Sequence, residues 1–453
     1  MSEMTVAAIS TPMGEGGIGV IRISGEDAIK IADGCFKSFS GKALAELDGY
    51  SALYGRVTDG NDVIDDAVAL VFRAPKSYTG EDVVEISVHG GRIVTKKALR
   101  AVLQGGASLA SGGEFTKRAF LNGKLDLTKA ESIMELISAK NDTALKISRA
   151  ARGGRISKEI DSMTAKLLET ASNLAVFADY PDEDIPQLSN ENFKILLDEC
   201  KGGLEKLILG YDTGKAVREG IDCAIVGKPN VGKSTLMNLL CGSERSIVTS
   251  VAGTTRDIIE NTVNLGDITL NLADTAGIHE TDDTVEKVGV ERAVSRMDTA
   301  GIILAVFDCS NNLDQNDLNL IKQIKDKRTI VILNKTDLES KIDESHFDGM
   351  DVIKMSAKSG KGLAELEEKV SHITHTDNLS QNDTILISER QRDCAVKALN
   401  CVNEAIDAIN SGITLDAVGV CIDGAVSALL ELTGKRVTNE VTDEVFRRFC
   451  VGK

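Results

Sequence analysis

The stretch IDCAIVGKPNVGKSTLMNLL, residues 221–240, decides the fold. An apolar run from Cys223 to Val226 leads into Gly227-x-x-x-x-Gly232-Lys233-Ser234, and a helix-periodic run follows. Strand, glycine-rich loop and helix in that order are the context this motif requires. The glycines let main-chain N–H groups converge on phosphate oxygens. Lys233 reaches the β- and γ-phosphates, the Ser234 hydroxyl ligates Mg2+, and the helix N-terminus adds partial positive charge. Asn230, Val231, Gly232, Lys233, Ser234 and Thr235 form the expected phosphate-binding set.

Three further matches follow in the order a guanine-nucleotide site needs. NLADTAG ends a strand on Asp274, placed to hold Mg2+ through water, and continues through Thr275 and Ala276 to Gly277, which can bond the γ-phosphate. VILNKTD ends a strand on Asn334, Lys335, Thr336 and Asp337. A carboxylate such as Asp337 accepts both N1–H and the exocyclic amine of guanine, a pair adenine lacks. MSAKSG supplies Ser356, Ala357 and Lys358. All these loops are expected on one rim of a doubly wound sheet, where such sheets bind ligands. Together the motifs imply GTP.

Ras-type enzymes place a water-orienting Gln just after the Asp-x-x-Gly loop. Here that position is Ile278, followed by His279. An aliphatic side chain cannot position a nucleophile, so hydrolysis must use other groups. The candidates are Asn230, the SVAGTTRD loop and the acids of HETDDTVEK. Nearer the N-terminus, GEGGIG spells G-x-G-x-x-G at Gly14, Gly16 and Gly19, but VIRIS follows it as a strand. The dinucleotide fingerprint needs a helix there, so that reading is rejected.

Outward from these motifs, the chain of 453 residues is long enough for two or three domains with cores of their own. Its 42% apolar and 27% charged residues are ordinary for a soluble protein. The formal net charge of −17 repels nucleic acid on average. An RNA partner therefore needs a local basic patch or a second protein. Nine scattered cysteines lack paired metal-ligand spacing, and MSEMTVAAIS lacks the basic start and apolar core of a signal peptide. A cytoplasmic, reducing location is expected. No apolar run approaches the ~20 residues a membrane-spanning helix needs, so no membrane is expected.

The texture divides the chain into four segments. Residues 1–118 read as β-branched runs and turns (TVAAIST, GIGVIRISG, DAVALVF, DVVEISVHG). Residues 119–214 carry helical period, interrupted by YPDEDIP. Residues 215–377 alternate short strands with helices. Residues 378–453 return to helical texture. The expected architecture is thus an N-terminal α+β domain, a discontinuous helical domain and a doubly wound phosphate-loop domain inserted into it.

The chain closes on RRFCVGK, residues 447–453. A prenylation box would also place Cys four from the end, but Gly452 is not aliphatic and Lys453 is not a usual final residue. FCVGK, joined to an inserted GTPase domain, resembles the bacterial tRNA-modification GTPase family MnmE (TrmE). GGIGVIRISG, YTGEDVVEISVHGG, GEFTKRAFLNGKLDL, YPDEDI, GKPNVGKSTLMN, VAGTTRD and DTAGI extend the resemblance over the full chain.

The resemblance implies a tetrahydrofolate-binding and dimerising domain at 1–118. Folate contacts would be Arg22, Glu85, Lys124 and Lys453, with Cys450 near that site and a chemical role for its thiol left open. The ligand would be a 5-formyl or 5,10-methylene tetrahydrofolate. The resemblance further implies a homodimer working with a flavoprotein, MnmG, in a heterotetramer. FAD would belong to the partner alone, and tRNA would bind largely through it. The product would be an aminomethyl or carboxymethylaminomethyl group on carbon 5 of the wobble uridine of certain tRNAs. GTP hydrolysis would be activated by K+ held by Asn230, Thr249, Val251 and Thr254, with Mg2+ on Ser234 and Thr255 and Glu286 as the catalytic acid. The loop Thr249, Ser250, Val251, Ala252, Gly253, Thr254 and Thr255 would line the nucleotide. K+ can act as a fixed positive charge between the β- and γ-phosphates, where other GTPases use an arginine. Two departures stand out: His279 where Arg is expected, and SGGEF where Pro commonly precedes the Gly.

Two alternatives compete with this reading. A GTP-dependent ribosome-assembly switch would show a second GTPase domain or an RNA-binding module, and only one phosphate loop is evident. A folate-binding scaffold that merely positions a flavoprotein is the other.

Overall fold

A computed structural model describes residues 4–179, 190–242, 261–266, 268–272, 297–374 and 383–453. They fall into two compact units. The first comprises Met1–Met134, Arg152–Lys201 and Asp393–Lys453, and the second Glu135–Ala151 and Gly202–Arg392.

In the first unit seven strands form one sheet: β1 Val6–Ile9, β2 Gly16–Ser24, β3 Phe36–Ser38, β4 Ser51–Asp59, β5 Asp62–Phe72, β6 Val83–Gly90 and β7 Ser108–Leu109, in the order β3-β4-β5-β6-β2-β1-β7. Every pairing is antiparallel except β1 with β7. Alternation sorts the side chains of β2. Ile21 and Ile23 enter a core with Ala69, Val71 and Ile86, while Arg22 between them faces the opposite side. Helices Ala28–Cys35 and Arg92–Gln104 cover the Ile21 face. They lie inside the segment read from sequence as strands and turns. Their three-and-four spacing (Ala28, Ile31, Ala32, Cys35; Thr95, Ala98, Val102) is short and flanked by β-branched runs. The rejected dinucleotide fingerprint leads into strand: β2 begins inside it at Gly16, and the Thr95 methyl group fills the space where a Cβ on Gly19 would stand.

Helices follow. In the first unit Arg155–Asp179 presents Ile156, Ile160, Met163 and Leu167 to the core. Leu415–Thr433 packs along it and buries Val418, Ile422, Ala425 and Leu429. Both sets have the 3.6-residue period of one buried helix face. Asn190–Glu219 is continuous through residue 214. YPDEDIP lies outside the described residues.

The second unit holds a six-stranded sheet: β8 Ile221–Val226, β9 Asn261–Leu265, β10 Ile268–Leu272, β11 Ile302–Asp308, β12 Thr329–Asn334 and β13 Asp351–Lys354, in the order β13-β12-β11-β8-β10-β9. Only the β9–β10 pair is antiparallel. The central strands are almost wholly apolar because both faces are covered. Helices Lys233–Gly242 and Leu363–Ile373 lie on one side and Gln315–Ile324 on the other. The strand order reverses between β8 and β11, so the crevice at their C-terminal ends is the topological switch point.

Candidate functional site

The phosphate loop sits in that crevice. Gly227 leaves β8 with φ of 145°. A Cβ there would collide with the Val306 carbonyl of β11, so only glycine lets the loop emerge between the strands. Gly232 has φ of 104°, and its missing Cβ makes room for the Asn334 amide. Asn230 adopts φ of 65° and Lys335 φ of 66°, two of three non-glycine residues with positive φ among the described residues. Backbone strain of this kind clusters at ligand-binding loops. The Lys233 ammonium donates to the carbonyls of Gly227 (2.8 Å) and Lys228 (2.6 Å), and burial pushes it below the usual lysine range. Among the described residues this cation is held by carbonyl dipoles, which suits an incoming phosphate.

Asn334 ties the site together. Its Nδ2 donates to the Val231 carbonyl at 2.9 Å, and its Oδ1 accepts from the Ala357 N–H at 2.9 Å. One buried amide thus links the phosphate loop to the Ser356–Lys358 loop. The Ser356 hydroxyl donates to Asp337 at 2.7 Å and holds that carboxyl below its usual range, as an ionised hydrogen-bond acceptor. Lys335 pairs with Asp308 at 2.6 Å. A cleft of about 440 Å3 opens between Lys228, Asn230, Phe307, Asp308 and Lys335. Lys228 anchors its rim to Asp314 (2.8 Å) and Asp317 (2.6 Å), the capping box of helix Gln315–Ile324. Thr249 through Thr255, Asp274 through Gly277, Ile278, His279 and Glu286 lie outside the described residues.

A second site forms in the first unit around FCVGK. Phe449 and Phe446 pack with Leu127 and Ala130 and anchor the tail. Val451 makes a β-bridge with Gly112. The Gly113 N–H donates to the Cys450 carbonyl at 3.3 Å, and the Phe115 N–H to the Lys453 main-chain oxygen at 3.2 Å. The Gly452 carbonyl accepts from Ser10 Oγ (3.1 Å) and Arg22 Nη1 (3.2 Å). Arg22 is the cross-strand partner of Glu85, and their side chains pair at 2.8 Å. The Arg22 guanidinium also lies over the rings of Tyr78 and Phe115, 5.6 and 5.5 Å from their centroids. Burial, and then the cations of Arg22 and Arg152, push Lys453 below the usual lysine range. Lys124 is exposed and donates to the Pro75 carbonyl at 2.8 Å, in the segment that also carries Tyr78. Cys450 is exposed.

Sequence reasoning missed Ser10, Tyr78, Phe115 and Arg152 at this second site, and Asp308, Asp314 and Asp317 at the first. Gly113 of SGGEF, with φ of 71°, carried a usable signal. A Cβ on Gly112 would stand 2.6 Å from the Phe449 carbonyl, and one on Gly113 2.6 Å from the Phe446 carbonyl. Those glycines make room for the tail's backbone.

A doubly wound sheet with a phosphate loop at its switch point and an Asn-Lys-x-Asp loop beside it defines a phosphate-loop GTPase. Family models agree along the chain: "GTP-binding protein TrmE N-terminus" matches residues 5–124 and "MnmE helical domain" residues 127–450. A tRNA modification GTPase MnmE from Clostridioides difficile is 41% identical over 454 residues, covering 99% of each chain. Those from Lactococcus lactis and Lactobacillus helveticus are 41% and 40% identical, covering 99% of this chain and 98% of theirs. Among solved structures, Aquifex aeolicus Era bound to GDP and AlF4− is 28% identical over 40% of this chain and 66% of that one, with a TM-score of 0.26. The chain belongs to the MnmE family of tRNA modification GTPases. Among the described residues, no helix is long and apolar enough to cross a membrane.

Proposed function

We propose that this protein hydrolyses GTP under K+ activation. With an MnmG-like flavoprotein, it would install an aminomethyl or carboxymethylaminomethyl group on carbon 5 of the wobble uridine of certain tRNAs, in the cytoplasm. The observation that carries the reading is the seating of Gly452 on Arg22. It gives a GTPase chain a second, cation-rich site built from its own tail. The proposed division is 1–118 for folate binding and dimerisation, 119–214 and 378–453 for the helical domain, and 215–377 for the GTPase.

In the GTPase site Lys233 neutralises the β- and γ-phosphates and Asp337 selects guanine. Ser234 and Thr255 would hold Mg2+. Asn230 with Thr249, Val251 and Thr254 would hold K+, the oxygen donors that suit a hard cation. Glu286 would orient the attacking water. At the tail, Arg22, Arg152 and Lys453 outnumber Glu85, and this surplus of positive charge suits a ligand carboxylate. Lys124 would extend the same contact. A reduced folate bound there supplies one-carbon chemistry.

Deleting Cys450–Lys453 tests the reading. Modification of tRNA should be lost while K+-stimulated GTP hydrolysis persists, because every tail contact described above stays within the first unit. Normal wobble-uridine modification by the truncated protein overturns it. Cys450→Ser, with folate bound but modification lost, would assign chemistry to the thiol.

A further inference from the structure

The chain carries a net charge of −17, yet no acidic residue stands between Glu85 and Glu114. Within that window lies helix Arg92–Gln104, whose sequence RIVTKKALRAVLQ holds four cations. Thr95, Ala98, Ala101 and Val102 are buried toward the sheet. At 100° per residue, Arg92, Lys96, Lys97 and Arg100 fall on the opposite face, and all four are exposed. Ile93 lies among them, 74% exposed. Among the described residues none of the four pairs with a carboxylate. The adjacent helix Ala28–Cys35 adds Lys30, 3.9 Å from Asp27. The Asp33 carboxylate there is engaged by the N–H groups of Leu44 and Ala45. The ridge is about 12 Å long from Arg92 to Arg100. It lies on the face of the sheet opposite the Arg22 pocket.

We propose that this ridge docks the sugar–phosphate backbone of RNA, namely the tRNA of the reading above, on which the inference rests. An acidic protein gains nothing from its mean field toward RNA, so contact requires a local concentration of unpaired cations. Long Arg and Lys arms on a rigid helix position a phosphate backbone without reading bases. Lys is depleted at protein–protein interfaces relative to the rest of the surface, and Lys96 and Lys97 stand at the middle of the ridge, which argues against a protein occupant.

The test measures fluorescence anisotropy of labelled tRNA with the full-length protein, over roughly 50 to 300 mM salt. Each single change to Gln should lower the slope of log affinity against log salt by about 0.7–0.9, and the four together by about 3. Affinity near 0.15 M salt should fall at least about tenfold for the fourfold variant. Gln keeps helix propensity close to Lys and Arg, and the thermal midpoint reports folding. Arg92→Lys with Arg100→Lys should retain the wild-type slope. An unchanged slope in the fourfold variant overturns the proposal, as does absence of tRNA binding by the wild type at low salt. Unchanged tRNA binding with weakened flavoprotein binding also overturns it and makes the ridge a protein contact. A normal nucleoside profile in cells lacking the protein sinks the tRNA-modification reading instead, whereas an altered profile with an unchanged slope sinks the ridge alone.

Discussion

Replacing Gly452 with Ala should dislodge the tail from its pocket. Gly452 has φ of 96°, a region costing a residue with a Cβ about 1–3 kcal/mol. The added Cβ would stand 2.5 Å from the Ile9 carbonyl oxygen and 2.8 Å from Ser10 Cα. Both are backbone atoms at the end of a paired strand, so neither moves cheaply. Against this stand four tail hydrogen bonds, from Ser10, Arg22, Gly113 and Phe115. At about 0.5–1.5 kcal/mol each they sum to about 2–6 kcal/mol. Strain and overlap together rival that sum, so the seated tail should lose about 3 kcal/mol, or about a hundredfold in population. Hydrogen exchange reads this directly: the Gly113 and Phe115 amides should exchange about a hundredfold faster, and tRNA modification should fall with them. Val451→Ala, at a residue 57% exposed, should change little. Unchanged exchange at both amides, with normal modification, would refute the argument.

Four further outcomes are expected. Asn334→Ala strands the Val231 carbonyl and the Ala357 N–H in a buried setting and should weaken GDP about ten- to a hundredfold by calorimetry. Asp337→Asn should weaken GTP and admit xanthosine triphosphate; the amide oxygen can still accept from Ser356 while its NH2 meets the base, so unchanged GTP affinity would sink the guanine assignment. GTP turnover should drop strongly when Na+ replaces K+, and equal turnover in both salts would contradict the proposed cation. Lys453 binds its proton less tightly in the folded protein than in the unfolded chain, so its contribution to stability rises as pH passes through its lowered pKa toward 10.5. Affinity for an anionic folate should decline over that same window, in a titration series against pH.

The nucleotide loops are legible in the amino-acid sequence because their chemistry is local. Gly227 through Ser234 places two glycines, two lysines and a hydroxyl within eight residues. Asn334 through Asp337 likewise sets an amide, a lysine and a carboxylate within four residues. Periodicity likewise separates the inserted α/β unit from the helices around it. Two helices of the N-terminal segment are not legible in this way, since eight or thirteen residues of mixed composition offer few periods to count.

Sequence alone determined which residues could grip a phosphate or a guanine, and the chain's acidity. The tertiary structure decided what they grip beside. Arg22 and Gly452 are 430 positions apart and meet only because strand register points Arg22 away from the Ile21 core, toward the bridge between Gly112 and Val451. Asn334 reaches Val231 across 103 positions only because β12 and β8 end on the same rim. The cationic ridge, too, needed the sheet, because four basic residues become one surface only when packing turns Thr95, Ala98 and Val102 inward. Local motifs are written in consecutive residues, whereas pockets and surfaces arise from which face each element buries, and burial is settled by the whole chain at once.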